Sequence, residues 1–206
     1  MTLRFASIGS GSKGNCLVAE VGSTRVLLDC GLSPRETERR LARIGLTPAD
    51  ISGILVTHEH DDHAGQAYPF AALHKLPVWL THGTQAAMAD SGKLPGEVET
   101  RTILGREAFA IGDLEVRPYT VPHDAREPVQ FVLSDGAFRL GVLTDIGAST
   151  APGAGSASRS TASASRSRIG TVRRASTSSA TPIPTRWCWS ATTTTTCCGA
   201  ASIRNG

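Results

Sequence analysis

An α/β layered fold is what residues 1–148 of this 206-residue chain predict, on three observations. Gly53-Ile54-Leu55-Val56-Thr57 is a continuous apolar run, of the type buried on both faces in α/β proteins. Short strand-like runs alternate with helical segments, which is the pattern of sheets covered by helices. Late in the stretch, Asp135-Gly136 separates two apolar runs, the signature of a tight hairpin.

The elements follow in order. Arg4–Ile8, Cys16–Val21 and Thr24–Asp29 are strand-length runs, the last two joined at Gly22-Ser23 by a turn suited to a hairpin. Between the first two lies Gly9 to Asn15, a loop whose glycines allow backbone angles other residues avoid. Ser33 marks a helix start: it is the N-cap, Pro34 takes the first helical position and Glu36 completes a capping box. Leu41 and Ile44 are expected on its buried face, and Gly45 is its stop. Thr47 to Asp50 opens a short turn or helix ahead of the Gly53–Thr57 strand. A helix through Ala71–Leu73, a strand at Val78–Leu80 and a helix at Thr84–Ala89 come next. Strands at Leu114–Tyr119, Val129–Leu133 and Phe138–Thr144 close the stretch.

Composition divides the chain at about residue 148. Residues 1–148 carry 14 Lys+Arg against 18 Asp+Glu, a net of −4, whereas residues 149–206 carry 7 Arg and no acid, a net of +7. The second segment holds 12 Ser, 11 Thr and 10 Ala, with no Leu, Phe, Tyr or Met. Without large aliphatic side chains it cannot bury enough surface to offset the entropy of ordering, so it is expected to be a disordered tail. The whole-chain charge of +3 is thus a property of the tail and is no signal for nucleic acid. No apolar run approaches the ~20 residues of a membrane span, and the start lacks a signal peptide's apolar core. Five cysteines without regular spacing fit a reduced setting, and a cytoplasmic location without membrane contact is expected.

The chemistry concentrates in His58-Glu59-His60-Asp61-Asp62-His63, directly after the apolar strand. Neutral imidazole and carboxylate are the ligands zinc and related divalent ions prefer. Side chains alternate on an extended backbone, so His58 and His60 can point the same way at a strand end. Asp62 and His63, on the turn beyond, can serve a second ion. Ser10, Ser12 and Asn15 could offer donors to a phosphate, though a plain turn explains them equally well. His74 and His82 read as structural.

His-x-His-x-Asp-His after such a strand resembles the metal motif of the metallo-β-lactamase-fold hydrolases. Three further segments agree in order: Leu28-Asp29-Cys30-Gly31, Pro122-His123-Asp124-Ala125 and Leu143-Thr144-Asp145-Ile146-Gly147. With the opening Ser7-Ile8-Gly9-Ser10-Gly11-Ser12-Lys13-Gly14-Asn15, they resemble the small bacterial YycJ/WalJ-type branch, regarded as exonuclease-like. The resemblance implies an αββα sandwich, cut short on its C-terminal side. It implies a binuclear site of two divalent ions, zinc or manganese. His58, His60 and His123 would hold the first ion, Asp62 and His63 the second, and Asp145 would bridge them. Asp62 and Asp145 would be the catalytic carboxylates, with a hydroxide between the ions attacking phosphorus. Asp29 would orient a ligand from behind. Nucleic acid is the implied substrate; a lactonase or thioesterase on the same fold, or a non-catalytic metal-binding remnant, are the rival readings.

One family ligand has no counterpart. A late histidine should complete the second ion's shell, yet His123 is the last histidine of the sequence. The codons offer a reason. Threonine is encoded ACN, so in the frame read from each third base Thr192–Thr196 can yield only Tyr, His, Asn or Asp. With permissible codons, Trp189 to Arg204 reads Glu-Cys-Asn-His-Asp-Asp-Asp-Met-Leu-Arg-Arg-Gly-Glu-Tyr-Pro, which resembles the family's downstream elements. Residues 149–206 are therefore expected to be a shifted reading frame.

Overall fold

The computed structural model describes residues 2–94 and 97–147, and the backbone of 185–189. Two sheets form. The first has strand order β1-β2-β3-β4-β5-β6, from β1 (Arg4–Gly9), β2 (Cys16–Val21), β3 (Thr24–Leu28), β4 (Gly53–Leu55), β5 (Val78–Thr81) and β6 (Thr100–Ile103). Its first three strands are antiparallel neighbours, and β3 through β6 run parallel. The second sheet has the order β11-β10-β9-β8-β7, from β7 (Phe109–Ile111), β8 (Leu114–Thr120), β9 (Val129–Ser134), β10 (Arg139–Leu143) and β11 (Thr185–Trp189).

The alternation of side chains along each strand sorts the interior into two cores. Leu17, Val26, Leu28, Leu55 and Trp79 of the first sheet meet Leu114, Val116, Phe131, Leu133 and Leu140 of the second. On the other face of the first sheet, Val18, Leu27, Ile54 and Leu80 pack under the helices α1 (Pro34–Arg43), α2 (Asp61–Ala64), α3 (Ala67–His74) and α4 (His82–Asp90). Helix, sheet, sheet is thus the order of the described layers, three of the four that an αββα sandwich has.

Most expected elements stand where the sequence puts them, and the differences have physical reasons. Ser33 does cap α1, accepting the Glu36 N–H at 3.4 Å, but the box is only half made. The Glu36 carboxylate turns instead to Arg39 and Arg40, which draw it to about 2. Leu41 is fully buried as expected, whereas Ile44 lies 40% exposed because it caps the helix end beyond the sheet. Gly22 takes a φ of 59°, the left-handed turn that joins β2 to β3. β6 and β7 escaped the sequence reading because both are short and carry exposed residues, unlike the buried centre of the sheet. Of residues 149–206, only the backbone of Thr185–Trp189 falls within the described residues. It lies parallel to β10, a placement that composition gave no reason to expect.

Candidate metal centre

The site forms where strands of both sheets end. β3 and β4 are parallel and in register at Leu28 and Leu55, so Asp29 and Thr57-His58 leave the first sheet at the same edge. The carboxyl ends of parallel strands are where α/β folds place their chemistry. From the second sheet, β8 runs out into Pro122-His123-Asp124 and β10 into Thr144-Asp145. Gly147 N–H donates to Pro122 O at 2.6 Å, tying these two exits together.

Asp29 is the hub behind the ligands. It is fully buried, with a φ of 61° that non-glycine residues seldom adopt. Its Oδ1 accepts the Thr57 N–H at 2.8 Å, its carboxylate accepts the Thr57 hydroxyl at 2.9 and 3.0 Å, and its Oδ2 lies 2.7 Å from His63 Nδ1. Because the Thr57 proton is given to Asp29, the Thr57 oxygen accepts from His58 Nδ1 at 2.9 Å. Asp29 therefore fixes both rings, His63 directly and His58 through Thr57, with Nε2 of each facing the centre. Gly31 allows the close approach this needs. A Cβ there would stand 2.0 Å from Asp62 O, so only glycine lets the Asp29 turn meet the His60–His63 turn.

The remaining rings are set by the 122–127 loop. His60 Nε2 lies 3.2 Å from Asp124 O, a carbonyl that can only accept, so Nε2 carries the proton and Nδ1 is left as the donor atom. His123 Nδ1 lies 3.1 Å from Asp124 Oδ1, leaving its Nε2 facing inward. The loop itself is pinned by Glu59 Oε1, which accepts the Arg126 N–H at 2.7 Å, and by Glu127 Oε2, which accepts the Gly83 N–H at 2.7 Å. Asp145 is steadied by Gln130, buried, whose Oε1 accepts the Thr144 N–H at 3.0 Å and whose Nε2 donates to Asp145 O at 3.3 Å.

Four of the six residues expected to hold metal form one close group, and His63 and Asp62 lie beside it. Ligand atoms of His58, His60, His123 and Asp145 lie within 4.8 Å of one another. Asp145 Oδ2 stands 3.8 Å from His58 Nε2, 3.8 Å from His123 Nε2 and 3.1 Å from His63 Nε2. Asp62 Oδ2 is 3.6 Å from His63 Nε2. The donor set fits a cation. His58 Nε2 and His123 Nε2 are 3.3 Å apart, and with the protons on Nδ1 two lone pairs face each other across that gap. Such an arrangement is unfavourable unless a positive charge sits beside it.

The electrostatics differ between neighbours. Burial, reinforced by His63, His123 and His60, pushes His58 down to about 4 against the pull of Asp29. Burial also opposes charge on His63, but Asp29 and Asp145 outweigh it and raise the ring to about 10. The His63 contact lowers Asp145 in turn. Beside Asp62 a cavity of about 500 Å³ opens, walled by Ser12, Lys13, Gly31, Gln66 and Lys93, with Lys93 paired to Asp61. His74, paired with Glu38 at 3.0 Å, takes no part in the centre. Thr57, Gln130 and Glu59 were missed by sequence reasoning: each acts through a fold contact, and their residue types carry no spacing signal.

Comparisons with known proteins agree with the geometry. The profile of the Metallo-beta-lactamase superfamily matches residues 9–158. Exodeoxyribonuclease YycJ of Bacillus anthracis is 36% identical over 148 residues, covering 71% of this chain and 56% of that protein. Exodeoxyribonuclease WalJ of Streptococcus pneumoniae is 32% identical over 149 residues, covering 70% and 54%. The chain thus spans about half the length of these relatives. Among solved structures, a metallo-β-lactamase of Cronobacter sakazakii superposes with a TM-score of 0.60 at 18% identity, over 71% of this chain and 60% of that one. That likeness speaks to fold alone. Among the described residues, no helix is long and apolar enough to cross a membrane.

Proposed function

The chain belongs to the metallo-β-lactamase superfamily, and from that premise we propose that it is built for metal-dependent phosphodiester hydrolysis on nucleic acid, working from an end. The observation that carries this reading is the position of Asp145. Its single Oδ2 lies 3.8 Å from His58 Nε2 and from His123 Nε2 and 3.1 Å from His63 Nε2, within reach of residues that would hold either ion. The first ion would be held by His58 Nε2, His60 Nδ1 and His123 Nε2, and the second by Asp62 and His63. When bound, zinc or manganese would supply Lewis-acid charge neutralisation, and zinc would lower the pKa of bound water toward ~7.

The chain's own residues do the rest. Asp29 and Thr57 keep His58 and His63 as correctly turned donors. Asp124 does the same for His60 and His123 through two different oxygens. Lys13 and Lys93, in the cavity beside Asp62, place cationic groups where a flanking phosphate would lie. Since residues 1–148 carry a net of −4, such local contacts rather than a basic face would hold the substrate. The names of the two bacterial relatives support DNA as the polymer.

The test is a comparison of substrates. The frame-restored protein, stripped of metal and reloaded with zinc or manganese, is expected to degrade DNA or RNA with free ends far better than it opens lactones or thioesters, and this 206-residue chain is expected to show little or no activity. His60→Ala and Asp62→Ala should abolish the cleavage. Ester turnover without nuclease activity would move the assignment to an acyl hydrolase, and metal uptake without turnover of either would leave a metal-binding remnant.

We also propose that residues 1–148 form the metal-binding unit and that 149–206 are a tail read in a shifted frame. The Thr192–Thr196 codon constraint supports this. Resequencing the coding DNA across codons 145–206 tests it directly; an unbroken frame would remove the idea. If the shift is real, the frame-restored protein should exceed this chain in solubility and turnover.

A further inference from the structure

The Gly9–Asn15 loop carries Lys13 at the cavity, and its last residue, Asn15, which has no task in the reading above, reaches into the second half of the metal centre. Asn15 is 8% exposed. Its backbone N–H donates to Asp62 O at 2.7 Å, and its carbonyl accepts the Gly31 N–H at 3.1 Å. These bonds sew the loop to both turns that carry Asp29 and Asp62. The side chain goes further. Oδ1 accepts the Gly11 N–H at 2.9 Å, which fixes the amide's orientation, because the flipped form would set two donors against each other. Nδ2 is thereby turned toward the centre, 3.1 Å from Asp62 Oδ2, 3.3 Å from Asp62 O and 3.0 Å from His63 Nε2.

Those distances are informative. Four donor atoms around a tetrahedral ion with bonds of roughly 2.0–2.1 Å stand roughly 3.3 Å from one another. Nδ2 lies close to that spacing from two of the atoms expected on the second ion. An amide N–H cannot ligate a cation, but it can hold a carboxylate that does. Asp62 has its side chain 30% exposed at the cavity wall, and this hydrogen bond restrains its carboxylate beside His63.

We propose that Asn15 is the positioning residue of the second metal half, setting affinity for the second ion by holding the Asp62 carboxylate. This rests on the metal part of the reading above and is independent of the substrate. Two variants of the full chain separate it from a merely structural role. Asn15→Ala removes the donor and frees Asp62. Asn15→Asp keeps an acceptor for Gly11 but places a carboxylate oxygen about where Nδ2 stood, next to Asp62, where it would repel that residue without an ion and attract a second ion.

The experiment is a titration of metal-free protein with Co²⁺, followed by visible absorption and calorimetry. Asn15→Ala should weaken the second ion tenfold or more and leave the first unchanged. Asn15→Asp should strengthen the second ion while lowering the melting temperature of the metal-free protein. Equal loss of both ions in both variants would mean a structural role and overturn the proposal. So would a chain that takes up one ion whatever stands at position 15. Failure of the nuclease assay alone would leave these titrations, and the inference, intact.

Discussion

His58 and His63 are the same residue type in one turn, and both are wholly buried, yet the fold treats them oppositely. His58 meets Asp29 only through the Thr57 hydroxyl and faces three other rings, and it is pushed down to about 4. His63 touches Asp29 and Asp145 directly and rises to about 10. His58 is thus a neutral donor turned toward the centre. On the other side, Asp29 and Asp145 favour the charged form of His63 in the metal-free protein. Burial disfavours charge on both rings, and it is outweighed only at His63, where Asp29 and Asp145 both make direct contact.

The largest expected effect comes from removing what the two halves share. Asp29→Ala would strand the Thr57 N–H, the Thr57 hydroxyl and His63 Nδ1 in the interior. Urea unfolding of the metal-free protein should show a loss of roughly 3–5 kcal/mol, together with loss of metal in both halves. Retention of either ion would break the claim that one carboxylate organises both.

Next in size are the single-ligand variants. His58→Ala should abolish the first ion, while His63→Ala should leave it in place and weaken the second by about 10–100-fold. Metal analysis after dialysis reads both, and equal losses would dissolve the distinction between the halves.

Acidity sharpens it further. In the metal-free protein the His63 proton adds stability that is full below about 6.5 and lost as pH rises through about 10. His58 works in the other sense: the folded state refuses a proton that the unfolded chain accepts, so stability falls as pH drops from about 6.5 through about 4. The melting temperature should decline on both sides, and zinc should flatten the alkaline limb by displacing the His63 proton. Calorimetry near neutral pH in two buffers of different ionisation enthalpy should find proton release when an ion displaces the His63 proton.

The smallest effect is a control remote from both halves. Ser33→Ala removes the long cap bond of α1 and should cost about 0.5 kcal/mol, with metal uptake unchanged.

What sequence made legible follows from what each feature depends on. The HEHDDH run, His123 and Asp145 could be read because a metal site needs particular atoms, and few residue types offer them. The strand β4 could be read because burial on both faces leaves a continuous apolar run. Thr57, Gln130 and Asn15 could not, since threonine and amides serve turns and sheets everywhere; only the register of β3 against β4, and the close packing at Gly31, gives them a role. Glu36 was misread for a similar reason: the capping box was a local possibility, and two arginines one turn on offered more. β11 had no signal in a stretch of serine, threonine and alanine.

The central claim is that His58, His60 and His123 form a donor set turned toward one point, with Asp145 shared between that point and a second. Zinc-edge anomalous diffraction from crystals of the zinc-loaded protein tests it most directly. A strong peak bonded to His58 Nε2, His60 Nδ1 and His123 Nε2 is expected, with Asp145 reaching both it and a weaker peak beside Asp62 and His63. A single peak elsewhere, or His60 bonded through Nε2 with Asp124 O released, would contradict it.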